Sequence, residues 1–156
     1  MRVRVIVADQ SEARFYDLTG VDAQLQPAGR IVDREAHLHG REPELGAERG
    51  MRGYDRTALA EPARKVAYAP RAGGEPRPRK DAAMRFARQI AAELDASRRR
   101  DGFDRTVLMA GPAFIGLLRS ALSAPVRATL VAEVRKDLVH EDDSTVHAFV
   151  PPDIFQ

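Results

Sequence analysis

The 156-residue chain is 44% hydrophobic and 31% charged, the balance of one globular domain rather than of a disordered polymer. It contains no cysteine, which excludes disulfides, thiolate metal sites and a cysteine nucleophile. No apolar run is long enough to span a bilayer, and the opening Met1-Arg2-Val3-Arg4-Val5-Ile6-Val7 alternates charge with β-branched residues, unlike a secretory leader, so a cytoplasmic protein with no membrane partner is expected.

Val3 to Ala8 reads as a strand, and Glu12 to Leu18 as a second, with Ala13, Phe15 and Asp17 alternating against Glu12, Arg14 and Tyr16. The short link Asp9-Gln10-Ser11 leaves them no choice but an antiparallel hairpin. Gly20 and Asp22 make the next turn. Leu25 to Val32 is a third strand, which Pro27 and Gly29 push towards a sheet edge. From Asp33 to Arg79 no period survives among the glycines and prolines, although a short helix around Ala58 to Val66 is compatible with the composition. About 34–79 therefore reads as an arm-like insert within a single domain.

Order returns at Asp81, where Ala83, Phe86, Ala87, Ile90, Ala91 and Leu94 recur at helical spacing. Arg98, Arg99 and Arg100 suit the negative end of this helix, and Gly102 stops it. Thr106 to Ala110 is a strand apolar on both faces. Gly111-Pro112 opens a helix that seats Phe114, Leu117 and Leu118 inwards and ends at Pro125. Val126 to Val134 reads as the last strand, and Asp142-Asp143-Ser144 as the cap of a final helix through Val150. The order β-β-β-α-β-α-β-α predicts a three-layer α/β domain. Its five-stranded mixed sheet is expected in the ribonuclease H-like order 3-2-1-4-5, with the second strand antiparallel.

Net charge is only +2, but the stretch from Arg64 to Arg100 holds eleven cations against four acids, a net of +7. Within it Arg64, Lys65, Arg71, Arg77, Arg79 and Lys80 mix with Gly73 and Gly74, which let backbone approach a ligand closely, and with Tyr68. That composition suits phosphate contact, and arginine's planar fork favours it further. A merely solvated loop is the competing reading. Asp9 ends the first strand where a metal-dependent nuclease would place a carboxylate, with Asp137 after the last strand, but the remaining carboxylates of such a site are missing. A turn hydrogen bond is the simpler role for Asp9. His37 and His39, with Glu42 or Glu44, have unspecific metal-site spacing; His140 and His147 have no evident partner. Lys136 and Asp137 read either as a surface ion pair or as part of a shared surface with Arg85 and Arg88. No cofactor motif is present.

Several segments resemble the bacterial family of host attachment proteins. These are Val7-Ala8-Asp9 with Ala13-Arg14-Phe15, the loop Met51-Arg52-Gly53-Tyr54-Asp55, the helix Arg85-Phe86-Ala87-Arg88, Phe103-Asp104-Arg105 followed by Val107 to Pro112, and Lys136-Asp137-Leu138. More remotely, the set resembles the central domain of the archaeal and eukaryotic peptide-release-factor and Pelota superfamily, in which a Gly-Gly-Gln loop precedes a similar helix. Here Glu75 stands where the glutamine would be, and a carboxylate would repel the charge that develops during release. The resemblance implies an RNA- or ribosome-facing module without release activity, using the arm cations together with Arg52, Arg85 and Arg88. Two alternatives stay open: a metal-dependent hydrolase built on Asp9 and Asp137, and an interaction domain forming a homo-oligomer through the 34–79 arm.

Overall fold

The computed structural model describes residues 1–33 and 76–156, the stretch 76–79 as backbone only. The chain divides into two compact units, Met1–Val32 with Met84–Gln156, and Asp33–Ala83. The first unit carries one five-stranded mixed sheet. Its strands are β1 (Val3–Ala8), β2 (Glu12–Leu18), β3 (Gln26–Val32), β4 (Arg105–Met109) and β5 (Leu130–Val134), in the spatial order β3-β2-β1-β4-β5. β1 pairs antiparallel with β2 and parallel with β4; β2–β3 is antiparallel and β4–β5 parallel. The Asp9–Ser11 link makes the expected hairpin, with the Asp9 N–H donating to the Glu12 carbonyl at 2.9 Å.

β3 is the edge strand that Pro27 and Gly29 foretell, and most of its residues are exposed. Its register slips between Phe15 and Tyr16, which pair with Gly29 and Pro27 and leave Ala28 as the bulged residue. Gly29 has φ +147°, a backbone conformation that side chains disfavour.

Even and odd strand positions face opposite sides, and each side has its own cover. Val3, Val5, Val7, Tyr16, Leu18, Val107 and Met109 pack with Leu138, Val139, Val146 and Ile154 of the C-terminal segment. Arg4, Ile6, Ala8, Ala13, Phe15 and Leu108 point to the other face, where α1 (Pro76–Asp101) and α2 (Pro112–Ala121) lie. Phe86 of α1 and Phe114 of α2 stack there with centroids 6.3 Å apart. Arg4, 1% exposed, pins the end of α1 to the sheet. Its Nε donates to Asp17 Oδ1 (2.7 Å) and its two Nη atoms to Ser97 Oγ (3.0 Å) and Asp101 Oδ2 (3.3 Å). Its guanidinium also lies 5.0 Å from the centre of the Phe103 ring.

Three boundaries differ from expectation. α1 begins at Pro76 rather than Asp81, because a helix needs no N–H from its first-turn residues and so tolerates Pro76 and Pro78 there. The predicted strand Val126 to Val134 starts only at Leu130. Ala124–Arg127 is instead a one-turn helix, α3, whose N-cap Ser123 accepts from the Val126 N–H, with proline in its first turn. The last helix, α4 (Asp143–Ala148), stops short of Val150 and is followed by a 3-10 turn over Pro152–Phe155. Its predicted cap is in place: Asp142 Oδ1 accepts from the Thr145 N–H at 2.8 Å.

Candidate nucleic-acid interface

On α1, the residues Phe86, Ile90, Leu94 and Ser97 recur every three or four positions and are buried. The opposite stripe runs Arg85, Arg88, Ala92, Ala96 and Arg99, all exposed except the half-buried Ala96. Arg85 and Arg88 therefore flank Phe86 without following it into the core. Neither they nor Arg99 forms a hydrogen bond or an ion pair among the described residues. The neighbouring Arg100 is engaged, with Glu93 at 3.5 Å and Asp101 at 3.4 Å.

The other arginines of the sheet-bearing unit are mostly committed to protein groups. Glu12, almost fully buried, accepts from Arg30 Nε (2.7 Å) and Arg14 Nε (3.1 Å). Burial alone would raise the Glu12 carboxyl, but the hydrogen bonds and charges of Arg30 and Arg14 outweigh it and hold the group below its ordinary value. Arg119 grips both carboxylate oxygens of Glu133, at 2.9 and 3.0 Å. Arg105 donates to the carbonyls of Ile154 and Gln156, and Arg127 to that of Leu122.

Of the cations that the sequence singles out, Arg52, Arg64, Lys65 and Arg71 lie outside the described residues, as do Gly73, Gly74, His37 and His39. Arg77, Arg79 and Lys80 fall in the first turns of α1, and Lys80 is exposed. Arg85 and Arg88 share one helix face, as their spacing requires.

Asp9 takes the turn role. Its Oδ1 accepts from the N–H groups of Ser11 and Glu12, both at 2.8 Å, and from Ser11 Oγ at 3.1 Å. Asp137 is exposed, and among the described residues no group of three or more His, Asp or Glu side chains is placed to hold a metal. Lys136 does not pair with Asp137. Adjacent residues leaving a strand point apart, and the Lys136 ammonium sits 5.7 Å from the centre of the Phe149 ring. Both remaining histidines do have partners: His140 Nε2 is 3.7 Å from Asp9 Oδ2, and His147 Nε2 is 2.9 Å from the Ala23 carbonyl.

Sequence reasoning missed a cleft of about 370 Å³ lined by Asp22, Gln24, Leu25, Asp143, Ser144 and His147. Tyr16 donates to Oδ1 of Asp143, one of the lining residues, at 3.0 Å. Burial, followed by that bond, pushes the Tyr16 phenol above its ordinary value. Only the capping pattern of Asp142-Asp143-Ser144 signals this region in the sequence, since its other walls come from residues more than a hundred positions away.

A family model described as "protein required for attachment to host cells" matches residues 4–150. The chain belongs to this family. The match runs from β1 to just past α4, ending before the 3-10 turn, so it takes in residues of both units, and the family's description gives its members an attachment-related role. No curated protein matches this host attachment chain. Among solved structures, one described as an "archaeal protein" aligns with 94% of the chain at 10% identity and a TM-score of 0.44. The chain spans about a third of that structure's length, 35%. Among the described residues, no helix of the family member is long and apolar enough to cross a membrane.

Proposed function

We propose that this host attachment family member is a cytoplasmic, non-enzymatic module that associates with RNA or with the ribosome. Its main support is the pair of exposed guanidiniums of Arg85 and Arg88, which have no partner among the described residues, where most other arginines of the sheet-bearing unit have one. A cation left without a carboxylate on a rigid helix is available to a phosphate, and arginine's fork suits that geometry. Further phosphate contacts come from Arg64, Lys65 and Arg71 before α1 and from Arg77, Arg79 and Lys80 in its first turns. The remote resemblance to the release-factor and Pelota central domain, and to ribonuclease H-like strand order, points the same way. Glu75 in place of the glutamine argues against peptide release.

Binding of the purified protein to ribosomes and to single- and double-stranded RNA, measured across a salt series, tests the proposal. Affinity should fall steeply with salt, and changing Arg71, Arg77, Arg79 and Lys80 together to alanine should weaken it and flatten the salt slope. No binding at low salt would refute it.

A further inference from the structure

The exposed stripe of α1 has a layout as well as a charge. Arg85 and Arg88 sit one turn apart at one end and Arg99 at the other. About 16 Å of helix axis separates Arg88 from Arg99, at ~1.5 Å per residue. Between them the stripe shows only the methyl groups of Ala92 and Ala96, so nothing on it stands taller than the arginines. Two acids border the stripe on this length, and both are engaged: Glu93 with Arg100, and the half-buried Asp95, which accepts from Ser123 Oγ. The helix is held rigidly from beneath by Phe86, Ile90 and Leu94, and at its end by the Arg4 bonds to Ser97 and Asp101.

Two cationic ends at a fixed separation over a flat floor suit a ligand whose phosphates are also fixed in space. A double helix supplies that, with one backbone on each side of a groove. A single strand is usually held differently, by bases stacked on exposed aromatic rings, and this face carries no aromatic residue. We infer that the outward face of α1 is a docking surface for double-stranded RNA, with Arg85 and Arg88 on one backbone and Arg99 on the other. This rests on the RNA-binding reading above and narrows it to a duplex and to one helix face. Arg99 also complements the negative end of the helix dipole, a structural role that would leave RNA affinity unaffected.

The test compares the full-length protein with a variant carrying Arg85→Ala, Arg88→Ala and Arg99→Ala, using a blunt RNA duplex, the matching DNA duplex and one RNA strand alone. A control carrying Arg119→Ala and Arg135→Ala removes two charges that already engage Glu133. The triple variant should bind duplex RNA more weakly, on the order of tenfold or more, and its salt slope should be shallower by about two to three. The control should stay close to the parent, and a triple Arg→Lys variant should keep the parent's salt slope, because its charges remain, while binding more weakly for want of the guanidinium fork. If the parent binds duplex RNA and the triple variant matches it, the inference fails and the arm becomes the contact, with the proposed function intact. Equal binding of the single strand, or of duplex DNA, overturns the choice of duplex RNA. No RNA binding at all removes both proposals.

Discussion

Arg4 on β1 and Arg88 on α1 carry the same guanidinium in opposite settings. Arg4 is buried, and three of its nitrogens bond to Asp17, Ser97 and Asp101. Arg88 is exposed and bonds to nothing among the described residues. A charge is expensive to bury unless it is fully paired, so the inner arginine has been specified by its partners. The outer one costs little to display and adds little to stability, which leaves it free to serve a ligand. The pairing state of each arginine, more than the total charge, separates scaffold from surface in this fold.

Three measurements would break or sharpen that contrast. Arg4→Ala should cost about 3 kcal/mol in urea unfolding, near the low end for breaking a buried pair, because Asp17 and Asp101 retain some access to water. A loss below about 1 kcal/mol would place Arg4 with the surface arginines. Glu12 comes next. Its carboxyl is held below its ordinary value in the fold, so it stabilises above its unfolded value, near 4.5, and that contribution disappears as pH falls through the lower folded value. Glu12→Gln should lower stability at pH 7 and flatten the acid limb of the stability profile; an unchanged acid limb would rule out Glu12 as a source of acid sensitivity. The smallest effect belongs to Arg85→Ala with Arg88→Ala, which should move stability by no more than about 0.5 kcal/mol while weakening RNA binding. A large drop in thermal midpoint would mean that these residues hold the fold together.

Much of the scaffold was legible because its signals are local. Val3 to Ala8, the Asp9-Gln10-Ser11 link and the repeat from Phe86 to Leu94 each declare an element within a dozen residues. The errors arose where one residue has two meanings. Pro76 and Pro78 resemble helix breakers yet fit a first turn, and Pro125 reads as a stop although it opens α3 under the Ser123 cap. At the candidate site, the positions of Arg85 and Arg88 on either side of Phe86 were enough to place at least one of them outside. Their lack of a partner could not be read that way, and neither could the Asp9–His140 approach, the His147–Ala23 bond or the Arg4 network. Each of these depends on residues separated along the chain and brought together by the fold.

The sheet-bearing unit is assembled from two separate stretches, Met1–Val32 and Met84–Gln156, with β1 at the centre parallel to β4. Joining β1 to β4 means closing a loop that contains all of residues 33–83. The entropic cost of such a closure rises only with the logarithm of its length, by about 0.6 kcal/mol per doubling. The length of the chain between β3 and α1 can therefore change at small entropic cost to the β1–β4 pairing. A partner-binding segment can thus be extended between β3 and α1 without the pairing of the sheet having to be solved again.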